Sequence, residues 1–350
     1  MEFADTAEQA ELRGVVRAFA SRYATPELVR TATASPIGYD RQIWARLSTE
    51  LGLCALAVPE QHGGAGAGPR EVAVAVEELG RVLLPAPYLS SAIAALALTR
   101  AAEDSAAAAE RYLPGLADGS VIGALALDAD VTAADGAVTG TARNVVDGAA
   151  AGLLLVRCGD RLLAVAAADA RVVPLDTLDQ TRRQAVADFD RAPALDAGSA
   201  AYPIALHRVL LAAECVAAAE HCLNATVDYL KMRRQFGRPI GSFQVLQHRA
   251  ADLAVAVTEA RATAQAAVWT AAADPAGLAA LAPLAALHCS RTFLQVAAEM
   301  IQLHGGIGFT WEHEAHRYFK RAKCTQLLLG PVSALRAEIG REAGLLSAVD

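Results

Sequence analysis

The stretch AYPIALHRVLLAAECVAAAEHCLNATVDYLKM, residues 201–232, runs without a break into RRQFGRPIGSFQ, residues 233–244. In the first part, Leu206, Val209, Leu210, Val216, Leu223, Val227 and Leu230 recur at helical spacing and hold one apolar stripe. A single helix of that length cannot cover its own stripe, so the pattern predicts a bundle in which neighbouring helices bury it. The second part, rich in Gly, Pro and Arg, ends the helix.

Working outward, two further textures appear. Toward the N-terminus, Leu12, Val15, Val16 and Phe19, then Ile43, Leu47 and Leu51, keep the three-and-four rhythm of helices. Pro59 and the glycines at 63, 64, 66 and 68 punctuate the chain before another helix through Val72, Val76 and Leu79. Between the helical zones, the short apolar runs Val121–Leu127, Leu153–Val156 and Leu162–Val165 are parted by turns such as Ala134-Asp135-Gly136, which reads as a small, mostly antiparallel β-unit. The expected architecture is mostly α with a central small β-domain: an N-terminal helical domain over 1–118, the β-domain over 119–197 and a C-terminal helical bundle over 198–350. There is no internal repeat of fixed period, and the Ala-rich stretches read as tight helix packing.

Composition narrows the function. A net charge of -7 and a pI near 5.7 argue against nucleic-acid or anionic-membrane partners, which call for a basic surface. The opening MEFADTAEQAELRG carries acids early and no apolar run, so no signal peptide is expected. Charges interrupt the apolar stretches of the C-terminal half, and none is expected to reach the ~18 residues that span a bilayer. Cys54, Cys158, Cys215, Cys222, Cys289 and Cys324 are scattered without a C-x-x-C pair, the pattern of free thiols in a reducing cytosol. Two decoys are set aside. The glycines from Gly63 to Gly68 do not follow a strand and open a helix as a dinucleotide fingerprint does. His304, His313 and His316, with Glu312 and Glu314, lack the H-E-x-x-H spacing of a metal site, so no metal is expected there.

Two segments then carry a family resemblance. Arg233 to Gln244 resembles the R-x-x-F-G-x-x-I-x-x-F-Q signature of acyl-CoA dehydrogenases, and Gln302-Leu303-His304-Gly305-Gly306-Ile307-Gly308-Phe309 resembles their Q-x-x-G-G-x-G-F segment. Leu51-Gly52-Leu53, Val58-Pro59-Glu60 with Gly63-Gly64, and Glu77-Glu78-Leu79-Gly80-Arg81 match in the family's order along the whole chain. The resemblance implies FAD as cofactor, with Arg233, Phe236, Gln244, Gln302, Gly305 and Gly306 as its contacts. A guanidinium suits a pyrophosphate, and glycines let backbone amides come close. In the family the Arg and the Gly-Gly segment come from neighbouring subunits. The resemblance therefore also implies an oligomer, with itself as a homotetramer or with a second acyl-CoA dehydrogenase-like chain as a heterotetramer. An acyl-CoA substrate and electron-transfer flavoprotein as acceptor are implied too. Phe309, Trp311 and Tyr318 are expected to pack a subunit interface.

The family's reaction desaturates an acyl-CoA: a carboxylate takes the α-proton while the β-hydride passes to the flavin. The resemblance places that carboxylate in one of two positions. At the first, beyond the Gly-Gly segment, this chain has Leu327-Leu328-Leu329-Gly330-Pro331, with Leu329 in the base's place. At the second, on the long helix, it has His207-Arg208. The flavin-ring stretch of the β-domain reads Ala124 to Asp130, without a hydroxyl until Thr132, and a second ring-contacting strand is replaced by Ala142 to Val146. Three readings stand: a base-less partner chain of a heteromeric enzyme; a self-sufficient enzyme with a displaced base, His207 or Glu214; and a scaffold without flavin. Arg208 is a substrate-binding candidate by resemblance, with a helix-surface ion pair as its alternative.

Overall fold

The computed structural model describes residues 4–103 and 105–346. Its contacts divide the chain into two compact units, one of residues 6–76 with 85–207, the other of residues 77–84 with the chain from 208 onward.

Six helices precede the strands: α1 (Ala7–Tyr23), α2 (Pro26–Ala34), α3 (Arg41–Thr49), α4 (Pro69–Arg81), α5 (Tyr88–Ala101) and α6 (Ala106–Asp118). Their starts are written in the sequence. Thr6 and Gln9 form a capping box at α1, Pro26 opens α2 behind Thr25, and the Asp40 carboxylate accepts from the amides of Gln42 and Ile43 at α3. In α1 the core takes Val16 and Phe19 but leaves Val15 largely in solvent, so the buried stripe is narrower than the apolar pattern implied. Helix α5 is the buried centre of this unit, its residues from Ser90 to Leu98 all out of water.

The sheet follows: β1 (Gly123–Ala126), β2 (Asp128–Ala134), β3 (Ala137–Val146), β4 (Leu153–Cys158), β5 (Arg161–Ala166), β6 (Ala170–Leu175) and β7 (Gln184–Ser199). The order is β1-β4-β5-β7-β3-β2, with β6 also paired to β7. Only β1 with β4 is parallel among these pairs; the rest are antiparallel. Long β7 joins the two halves, since its first part pairs with β3 and β6 and its second with β5. Small and larger apolar residues (Ala142, Val145, Ala187, Phe189) fill the core of the sheet. Helix α5 packs on β1, where Ser91 Oγ accepts from the Gly123 amide at 3.2 Å.

The second unit is helical. The long α7 (Ala201–Met232) leads into a two-residue hairpin, β8 (Arg234–Gln235) and β9 (Arg238–Pro239), then α8 (Gln244–Ala273), α9 (Leu278–His304), α10 (Ala315–Leu328) and α11 (Val332–Glu342). Ala260, Ala264, Ala267 and Ala271 recur on the buried face of α8, which packs against α9 closely enough for the Cys289 thiol to reach the Ala260 carbonyl at 3.4 Å. Arg249 of α8 pairs with Glu299 of α9 at 2.5 Å, and Arg261 of α8 with Glu220 of α7.

One sequence expectation is corrected here. Two segments, Ala201–Met232 and Pro275–Phe309, are long and apolar enough to cross a membrane, with mean hydropathies of 1.3 and 1.2. Charges such as Arg208 and Glu214 are too sparse in α7 to lower the average. Of these windows, 67% and 50% are buried inside the protein, as the core helices of a bundle would be. All six cysteines are free thiols, and all but Cys158 are buried.

Candidate functional site

The hairpin after α7 is built by Phe236 and Gly237, which connect β8 to β9 with φ of 53° and 79°. Two consecutive residues at positive φ meet the requirement of the tightest hairpin turns. Glycine adopts that conformation freely, whereas Phe236 pays roughly 1–3 kcal/mol for it. Its ring is 87% exposed and touches Phe243 edge-on at 6.0 Å, while the Arg238 guanidinium lies 4.1 Å above Phe243. A strained, solvated aromatic gains little from folding, so its placement points outward to a ligand or partner. Arg233 is exposed at the start of the same turn, held by its amide on the Tyr229 carbonyl at 2.8 Å. Its guanidinium makes no ion pair among the described residues. Gln244 is exposed at the first position of α8.

The second group lies where α9 stops. Gly305 takes φ 63° and ψ −139°, a region open essentially to glycine, and its amide donates back to the Gln302 carbonyl. Gln302, Gly305 and Gly306 are exposed, and a side chain on either glycine would meet open space. Close access to their backbone is what a flat, anionic cofactor requires. Among the described residues, no side-chain hydrogen bond or ion pair joins this group to Arg233, Phe236 or Gln244. The donor set of an unpaired guanidinium, side-chain amides and bare glycine backbone fits FAD.

Neither position at which the resemblance would place the base holds a carboxylate. Leu329 is buried and aliphatic at the end of α10, where Gly330, φ 87°, turns the chain toward Pro331 and α11. Half-buried His207 sits on α7 beside Arg208. Arg208 grips Glu338 of α11 through two bonds, Nη1 to Oε1 at 2.6 Å and Nη2 to Oε2 at 3.0 Å. The bidentate pair is the ion-pair alternative for Arg208, and a substrate would have to displace it. Glu214 is 5% exposed and accepts from Arg321 of α10 at 2.8 Å. Gly80 abuts it so closely that an added Cβ would stand 2.3 Å from the Glu214 Cγ. That carboxylate is clamped, not poised. On the sheet, β1 buries Ala124 and Ala126 and presents no hydroxyl, while Asn144 is turned to Asp128 at 2.9 Å.

Of the histidines set aside as metal ligands, His304 and His313 lie ring to ring at 4.4 Å, tilted by 47°, and His316 meets Trp311 edge-on at 4.8 Å. Glu314 accepts from His221 of α7 at 2.9 Å, His221 stacks on Tyr318 at 4.9 Å, and His304 stacks on Tyr229 at 4.4 Å. Burial raises Glu314, but the His221 hydrogen bond and the neighbouring His221, His313 and Arg317 charges outweigh it and hold the carboxyl below its ordinary value. Tyr318 corrects an expectation: it is 2% exposed and donates to the Arg81 carbonyl at 2.9 Å, packing its own chain, whereas Phe309 and Trp311 are 88% and 74% exposed. The sequence reading missed Arg321, Glu338 and His221; the basic run HRYFKRAK in α10 was the one signal for the first.

Two exposed motif segments in a helical unit, with a small sheet interposed in sequence, are the arrangement that the resemblance to acyl-CoA dehydrogenases implies. Sequence comparison matches the N-terminal domain of acyl-CoA dehydrogenases over residues 6–120 and their C-terminal domain over 198–344; the chain belongs to the acyl-CoA dehydrogenase family. It is 42% identical to acyl-CoA dehydrogenase IpdE2 of Mycobacterium tuberculosis, over 94% of this chain and 95% of that protein. Among solved structures it is similar to a chain of the ChsE4-ChsE5 complex from Mycobacterium tuberculosis (TM-score 0.89, 27% identity, 99% of this chain and 100% of that one). It is also similar to a chain of a Tcur3481-Tcur3483 steroid ACAD variant (TM-score 0.88, 30% identity, 96% and 98%).

Proposed function

We propose that this chain is the base-less subunit of a heteromeric acyl-CoA dehydrogenase, lending flavin-binding groups to a shared site while a second, longer chain supplies the carboxylate. One observation carries the reading: the flavin motifs are present and open to solvent, yet Leu329 occupies one base position, His207-Arg208 the other, and Glu214 is locked to Arg321. Two structural neighbours named as two-component assemblies support it. The bound FAD would take up the substrate's β-hydride. This chain's part is to hold the cofactor: Arg233 neutralises the pyrophosphate, Phe236, Gln244 and Gln302 fix its orientation, and Gly305 and Gly306 bring backbone amides against it. A steroid-derived or similarly bulky acyl-CoA is the proposed substrate, electron-transfer flavoprotein the acceptor, and the cytoplasm the setting.

The test is a visible absorption spectrum of the chain purified alone and after co-expression with a neighbouring dehydrogenase-like chain. No flavin alone, but a stable yellow complex that acyl-CoA bleaches, is the expected result. Stoichiometric flavin and bleaching in the lone chain would replace this reading with a self-sufficient enzyme whose base is His207 or Glu214. A chain that stays colourless with every partner would leave the scaffold reading.

A further inference from the structure

We propose that His304 is the positioning residue of the glycine segment and that only its neutral ring holds Gly305 and Gly306 in place, making this half of the flavin site sensitive to protons. The link to flavin rests on the function proposed above; the positioning role does not.

His304 is the last residue of α9 and is 5% exposed. Its Nδ1–H donates to the Met300 carbonyl at 2.7 Å, one turn back, which fixes the ring's tautomer and leaves Nε2 without a proton in the neutral form. One side of the ring stacks on Tyr229 of α7 at 4.4 Å; His313, from the loop before α10, stands at 4.4 Å with its plane tilted 47°. The ring is thereby wedged between α7 and the far end of the very loop whose near end is Gly305. Gly308 completes the fit, because a Cβ there would lie 2.9 Å from the His304 Cβ and 2.6 Å from the Ile301 carbonyl. The loop thus packs its Gly308 backbone against the His304 Cβ and returns His313 to the face of the imidazole.

The surroundings suit a neutral ring. His313 itself accepts the Ala315 amide on Nδ1 at 3.2 Å, capping the start of α10, so it is bonded as an acceptor there. Around the pair stand Tyr229 of α7, stacked on His304, and Glu314 of the loop, itself beside His221 and Arg317; His316 follows on α10 with Arg317 and Lys320 near it. Glu314, the nearby negative charge, is engaged by His221. Burial, and then His313, hold His304 below its ordinary value, while the Met300 hydrogen bond and Glu314 act the other way. A positive charge placed between Tyr229 and His313 would be buried without a partner for it, and the loop can relieve it by peeling away.

Hydrogen exchange of the amides 305–314, read by mass spectrometry on the purified chain at pH 8.0 and 5.5 and corrected for intrinsic rates, tests this. The wild type should lose protection at the lower pH, by up to about tenfold one pH unit below the ordinary histidine value of 6.5. His304→Asn keeps a donor for Met300 but cannot titrate, and should be protected equally at both values. His304→Ala should be open at both. Protection independent of pH in the wild type, or unchanged pH dependence in H304N, overturns the proposal. Should H304N fail to fold, histidine NMR of the wild type decides: a ring protonated on Nδ1 and titrating below about 6.5 is expected, and an ordinary titration overturns the idea. In the co-expressed complex, flavin lost at pH 5.5 by the wild type but not by H304N supports the cofactor link, and equal retention overturns it. A complex that never takes up flavin sinks the function proposed above and leaves the exchange result standing.

Discussion

Glu214 and Arg321 face each other at 2.8 Å with side-chain exposures of 7% and 4%. Two charges so far from water lose hydration that their attraction only partly returns, and removing one partner takes away the ion pair within which the other is buried. Arg321→Met is expected to destabilise the protein by about 3–5 kcal/mol in urea unfolding, whereas replacing both residues by apolar ones of similar volume should cost far less. Gly80 belongs to the same contact. Gly80→Ala forces its methyl into the Glu214 Cγ, and because the pair fixes that carbon, the expected loss is about 1–3 kcal/mol. The Glu77-Glu78-Leu79-Gly80-Arg81 match was visible in the sequence, but the need for its glycine was not: Glu214 lies far along the chain, and only the fold puts it there.

Among the elements, the β8–β9 hairpin shows a site set against stability. Asparagine accepts positive φ far better than phenylalanine and forms the best two-residue hairpin turn with a following glycine. Phe236→Asn is therefore expected to raise the unfolding midpoint by about 1 kcal/mol equivalent while weakening flavin retention in the co-expressed complex; a variant that gains stability and keeps flavin would remove Phe236 from the contact set. Helix α10 supplies a second case. Tyr318→Phe deletes the hydroxyl that bonds the Arg81 carbonyl, at an expected cost of about 1–2 kcal/mol. Faster amide exchange confined to residues 81–84 and α10 is the accompanying sign. Sequence rhythm located α10 within the C-terminal helices, yet it placed Tyr318 at an interface, because a buried tyrosine and an interfacial one have the same amphipathic chemistry.

For the whole molecule, pH dependence follows from the histidines. Burial above all holds both His304 and His316 below the ordinary histidine value of 6.5; Lys320 and Arg317 push His316 the same way. The unfolded chain therefore binds protons first, so this stability is complete above about pH 6.5 and is lost as the pH falls through the folded values. Glu314, held below 4.5, adds a second loss at lower pH, below its unfolded value. Calorimetry should show a flat Tm above about pH 6.5 and a decline beginning below it; a Tm that instead rises on acidification from 6.5 would contradict the assignment. Assembly is the other property at this scale. Met232, Phe236, Val245, Phe309, Trp311 and Leu327 are all more than half exposed, a concentration of apolar surface in the helical unit that suits a protein partner. Phe309→Asp is expected to leave the thermal midpoint nearly unchanged while reducing co-purification of the second chain.

The sequence by itself determined the helix–sheet–helix order, the acyl-CoA dehydrogenase signature from Arg233 and the presence of leucine at 329, because periodicity and short motifs act within a few residues. Only the tertiary structure decided that Glu214 is clamped by Arg321, that Arg208 is held by Glu338, that Tyr318 serves its own chain and that His304, dismissed as a decoy, stacks on Tyr229. Each of these pairs residues distant in sequence, and the free energy of a charge or an imidazole depends on what surrounds it at a few ångströms. A sequence states which groups are present; the packing of α7, α9 and α10 states which of them remain free to act.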